Sequence, residues 1–90
     1  MIINGAVRDL KVKGRKFKNE GRSVGIIERN DGERIPISLK RSDVEKHLSR
    51  HGDHSNITLN IDGEEINTIV VSVQRDVVFH FPHSIEFKEL

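Results

Sequence analysis

Seven Lys and Arg side chains fall at positions 8, 11, 13, 15, 16, 18 and 22, against only Asp9 and Glu20. Residues 1–22 therefore carry a net +5, and residues 23–90 a net −4. The chain's formal net charge of +1 conceals this partition. Crowded cations repel one another unless an anion neutralises them, and phosphates do so with release of counterions as the driving force. If about four or five of these cations meet phosphates, log K falls with log salt at a slope of roughly −3 to −4. The plainer reading is a solvated basic loop.

His47, His51 and His54 form the second cluster. The first two stand at i, i+4, a spacing that metal clamps use. No Cys, Asp or Glu is placed to complete a convincing shell, although Asp53 is nearby. Histidine near a helix C-terminus also complements the helix dipole, and all three are expected at an exposed helix end and loop. No metal site, cofactor or catalytic residue is expected. Gly14, Gly21 and Gly25 do not make a phosphate-cradling loop before a helix. No spacing marks a nucleophile elbow. The carboxylates of Asp62, Glu64 and Glu65 belong to a turn, where solvated acids are ordinary. In Val73-Gln74-Arg75-Asp76, a strand end and the start of a loop, Gln74 and Arg75 can hydrogen-bond base edges or phosphates, or equally tie down the loop backbone.

Ninety residues suffice for one domain, and 34% apolar residues without Trp or Tyr leave a core of Ile, Val, Leu and four Phe. Residues 2–8 read as a strand, and 9–22 as a loop or short cationic helix. Residues 24–29 and 34–39 flank Asp31-Gly32, a hairpin signal. Pro36 lacks an amide donor, which predicts an edge strand or a bulge. Ser42 and Glu45 have capping-box spacing, Val44 and Leu48 share a helix face, and Gly52 suits the stop. Residues 56–61 alternate, Asp62-Gly63 marks a second hairpin, and 65–74 are apolar on both faces at the centre, which suggests a central strand or one covered on both sides by barrel closure. After a loop around 76–82 comes a last strand, 84–88. The inventory of six strands predicts a mostly β fold with short helices (α+β): a small antiparallel-rich β-barrel, one domain over residues 1–90.

In order, these pieces resemble the bacterial L twenty-five ribosomal proteins, a family that includes the general stress protein Ctc. The resemblance runs from Ala6-Val7-Arg8 and Arg15-Lys16-Phe17-Lys18 through Glu20-Gly21-Arg22, Ile35-Pro36-Ile37-Ser38-Leu39 and Ile57-Thr58-Leu59-Asn60-Ile61-Asp62-Gly63. It continues to Val73-Gln74-Arg75-Asp76, the most specific match, and Ile85-Glu86-Phe87. It implies a closed six-stranded β-barrel with short helices that binds 5S ribosomal RNA in the large ribosomal subunit. Such a protein would be a non-enzymatic structural component, cytoplasmic and ribosome-associated, monomeric when free, with no membrane partner. Matched residue by residue, Arg8, Arg15, Lys16 and Lys18 would contact phosphates, and Gln74, Arg75 and Glu86 would lie on the RNA-facing side; the charge of the basic segment adds Lys11, Lys13 and Arg22 to the expected RNA contacts. Many members carry Tyr where this chain has Glu28, and His where it has Ser84. The second C-terminal domain of longer members is not expected. The alternatives are a stress-associated paralogue binding ribosomes or another structured RNA, and a protein- or metal-binding barrel.

Overall fold

The structure, a computed structural model, describes residues 2–8, 11, 16 and 20–90. Among the described residues six strands and a helix follow in order: β1 (Ile2–Val7), β2 (Arg22–Glu28), β3 (Arg34–Lys40), α1 (Arg41–His51), β4 (Asn56–Ile61), β5 (Glu64–Arg75) and β6 (Pro82–Glu89). The strands close into a barrel in the order β1-β3-β2-β6-β5-β4. The β1·β4 and β2·β6 pairs are parallel and the other four antiparallel. This is the predicted six-stranded, antiparallel-rich barrel.

The alternation of side chains sets the inside of the barrel. Ile3, Ile27, Ile37, Leu39, Leu59, Val70 and Ile85 are all 2% exposed or less. Buried hydroxyls find carbonyl partners: Ser23 Oγ donates to Pro82 O at 2.6 Å, and Thr68 Oγ1 to Ile57 O at 3.0 Å. Phe87 is the aromatic of this core, whereas Phe79 is exposed and Phe81 half-buried. The expectation that all four Phe build the core is corrected accordingly; Phe17 lies outside the described residues. Gly25 faces inward where β2 meets β6, and a Cβ there would stand 2.8 Å from Ile85 O and 3.2 Å from the Phe87 ring.

Both hairpins form. Asp62 and Gly63 each take positive φ (52° and 94°), the paired signature of a two-residue type I′ turn between β4 and β5. Gly32 (φ 90°) closes the β2–β3 turn, with its N–H donating to Arg29 O. Pro36 departs from expectation, because β3 is paired on both sides. Its carbonyl accepts from Arg8 N at 2.9 Å, so its ring nitrogen points to the same side. There the β1 register ends at Val7↔Ile37, so the proline forgoes only the reciprocal bond to Arg8, at the very end of the ladder.

The helix also differs from its predicted cap. α1 begins at Arg41 directly after β3, Lys40 occupies the cap position, and no side chain caps it. Ser42 therefore lies inside the first turn. The Arg41 N–H is satisfied by Gly21 O instead, which ties the helix start to the entry of β2. Gly52 ends the helix as expected, at φ 87° with its N–H on Leu48 O.

His47 is 3% exposed rather than at an exposed helix end. Its Nε2 lies 2.8 Å from Ser55 Oγ, whose proton goes to Gly52 O at 2.8 Å. The imidazole must then donate through Nε2, leaving Nδ1 bare and without a hydrogen-bond partner among the described residues. Burial first, and then the neighbouring His51, hold His47 below the usual histidine range. Among the described residues no group of three or more His, Asp or Glu is placed to hold a metal ion.

Candidate nucleic-acid interface

Strands β3, β2, β6 and β5 present one continuous outer face. The register places Gln74 opposite Ser84, Ser84 opposite Val24, and Val24 opposite Ser38. The next row reads Ser72, Glu86, Ile26 and Pro36, and the third Lys88, Glu28 and Arg34. A register shift between Val70 and Ser72 leaves Val71 exposed on this side. Its middle is small or apolar, with Val24, Ile26 and Pro36 half-buried, and its charge lies at Glu86 and along the third row.

Glu28 is an exposed anion on this outer face, at a position where the resemblance gives many family members Tyr. It does not turn away. Its carboxylate sits 3.7 Å from Arg34 Nη1, with Lys88 opposite on the other flank. Two cations thus offset one carboxylate. Ile26, Glu28, Arg34, Val71, Glu86 and Lys88 help enclose a hollow of about 130 Å³.

The basic segment borders this face at both of its described ends. Arg8 is half-buried and its N–H bonds Pro36 O. Arg22 Nε and Nη2 donate to Ser38 Oγ (3.2 Å) and Ser38 O (3.0 Å). The segment thus leaves and rejoins the barrel along three consecutive residues of β3, 36–38. Within it Lys11 and Lys16 are exposed, and Glu20 N donates to Lys16 O. Lys13, Arg15 and Lys18 lie outside the described residues.

Of the barrel residues singled out, Gln74 and Glu86 are exposed on the outer face. Arg75 is not beside them. Successive strand residues point to opposite faces, and Arg75 turns to the loop after α1, donating to both carboxylate oxygens of Asp53 at 2.7 and 2.8 Å. The pairing holds the Asp53 carboxyl below the usual carboxylate range. Arg75 thus ties down a loop, but the one after α1 and through a carboxylate, not the backbone of the loop that follows it.

Sequence reasoning missed two features. Arg29 binds Glu64 at 3.0 Å and Glu89 at 3.1 Å, clamping the β2–β3 turn to β5 and β6. The β5–β6 loop puts Val77, Val78 and Phe79 into solvent beside the start of α1. The unbroken apolar run Val77-Val78-Phe79, after a strand that already fills the core, was the available signal.

Comparison with known proteins agrees with this architecture. The chain is 32% identical over 62 residues to the large ribosomal subunit protein bL25 of Geobacillus thermodenitrificans, covering 69% of this chain and 30% of that protein. It is 25% identical over 91 residues to bL25 of Exiguobacterium sibiricum, covering 97% of this chain and 40% of the relative. The bL25 of Enterococcus faecalis is 29% identical over 80 residues, covering 84% and 40% respectively. The matched region thus spans well under half the length of these relatives. The model of the Ribosomal L25p family matches residues 3–87, nearly the whole barrel, and the chain belongs to that family.

Proposed function

We propose that this barrel is a structural, non-enzymatic component of the large ribosomal subunit that binds 5S ribosomal RNA. The observation that carries the reading is the +5 segment tethered at Arg8 and Arg22 to β3, beside an outer face whose charges largely offset one another. Arg8, Lys11, Lys13, Arg15, Lys16, Lys18 and Arg22 supply phosphate attraction, which positions the RNA without reading it. Gln74 and Glu86 set the register by hydrogen bonding to base edges and 2′-hydroxyls across the shallow groove. Arg75 acts one step back, through the Asp53 loop. The protein works as a monomer when free and at the ribosome in the cytoplasm.

The test is binding to 5S RNA across a salt series. Tight binding with a log–log slope of about −3 to −4 is expected, shallower by about 2 after Arg15, Lys16 and Lys18 are changed to Ala. Failure to bind at low salt overturns the reading. Glu28 favours a second one, in which a stress-associated paralogue uses the same face on another structured RNA. Competition by other structured RNAs at equal affinity would support that version.

A further inference from the structure

The β5–β6 loop projects three consecutive apolar side chains, Val77, Val78 and Phe79, at 88%, 68% and 75% exposure. It is a built turn. The Asp76 carboxylate accepts the Val78 and Phe79 N–H groups at 2.9 Å each, while Asp76 N donates to Phe81 O and His80 N to Asp76 O. His80 takes φ 61° to close it, an uncommon conformation outside glycine. The chain thus spends a buried carboxylate and a left-handed residue on holding an apolar ring out in water.

What surrounds that ring is aromatic and cationic. The Phe79 and Phe81 planes lie within 10° of parallel with centroids 6.3 Å apart, and the Arg41 guanidinium sits 3.9 Å from the Phe81 centroid. The rings open onto a groove of about 770 Å³ that Arg22, Lys40 and Arg41 also line, together with Glu20 and Glu45. Three cations face two anions. The groove adjoins Gly21, where the basic segment rejoins the barrel.

We propose that this loop is a second RNA contact, in which an unpaired nucleobase stacks on Phe79 and its phosphate meets Lys40 and Arg41. The proposal rests on the RNA-binding reading above and extends it to a place the barrel face does not reach. A nucleotide fits this mixed lining, since its base has a planar π-face for the ring and its phosphate is an anion for the cations. An apolar protein surface would cover the valines but strip water from Arg22, Lys40 and Arg41 without supplying a counter-charge. Lys40 and Arg41 add to the salt dependence through the phosphate, whereas the share of Phe79 is stacking and is insensitive to salt.

The chain contains no Trp or Tyr, so Phe79→Trp introduces its only strong fluorophore. Titration of F79W with 5S RNA should quench the emission at saturation and keep wild-type affinity. Phe79→Ala and Phe79→Leu should weaken binding about ten- to hundredfold with the salt slope unchanged. Both should melt like wild type, because Phe79 is on the surface. An unquenched Trp together with wild-type affinity of F79A overturns this contact and leaves the RNA-binding reading standing. An emission shifted to the blue by large subunits but unaffected by free RNA overturns it in favour of a protein partner. Wild type that fails to bind 5S RNA overturns both.

Discussion

Arg75 on β5 and Asp53 in the loop after α1 form a two-pronged pair, 22 residues apart, with both oxygens of the carboxylate engaged. The pair closes the loop that carries Ser55, the partner of His47, against the end of the longest strand. A fork-to-fork geometry adds direction to charge, so Arg75 orders the loop more than lysine could.

Removing either partner should therefore have the same effect. Arg75→Ala and Asp53→Ala are each expected to cost about 0.5–1 kcal/mol, because both side chains are more than a third exposed. The double variant should cost no more than either single one, as a chemical-denaturation cycle will show. Both single variants should leave the salt slope of RNA binding at its wild-type value.

Stability should fall in acid in two separable windows. The folded state holds His47 below its ordinary value of 6.5, so above that pH its contribution is full. As pH falls below 6.5 the unfolded chain takes up a proton that folded His47 resists, at no more than about 1.4 kcal/mol per pH unit. His47→Gln keeps a donor toward Ser55 and should flatten this window. Asp53 and Glu89 are held below their ordinary values of 3.8 and 4.5 by Arg75 and Arg29, so their contribution is lost only as pH falls below that range. Urea titrations from pH 8 to pH 3 distinguish the windows.

Gly25→Ala should be costly although it adds one methyl group. That carbon would meet a backbone carbonyl at 2.8 Å, and a backbone cannot rotate away as a side chain can. A loss of about 1–3 kcal/mol and a Tm lower by several degrees are expected.

Glu28→Gln should strengthen 5S RNA binding. Removing one anion about 4 Å from a phosphate in water is worth about 1 kcal/mol, or about fivefold in Kd. Arg34 is then released from its pair, so the salt slope should steepen as well. Unchanged affinity would mean that the third row of the outer face lies outside the contact.

Period-two alternation was readable because each strand carries its own evidence: Ile35, Ile37 and Leu39, or Ile57, Leu59 and Ile61, name the buried side without reference to any neighbour. The Asp62-Gly63 turn was readable for the same reason. Pro36 was misread because the cost of a missing donor depends on where a strand 29 residues away stops pairing. Ser42 has the chemistry of a cap, but the β3–α1 junction let a carbonyl from Gly21 do that work. His47 looked exposed from its charge-rich neighbours, and only the packing of α1 on the barrel buries it. For the candidate site, the positions of the cations were legible and their anchors were not. Arg22 meets Ser38, and Arg75 meets Asp53, only after the chain has closed.

The stave order has a consequence for how this chain is made. β6 lies between β2 and β5, parallel to one and antiparallel to the other. During synthesis the first five strands can pair among themselves, yet β2 and β5 each keep one bare ladder of amides and carbonyls. Until Pro82–Glu89 has left the exit tunnel, the nascent protein displays two open edges of the kind that recruit other strands. Protection from chaperone capture and from aggregation arrives in a single step, with the last eight-residue strand.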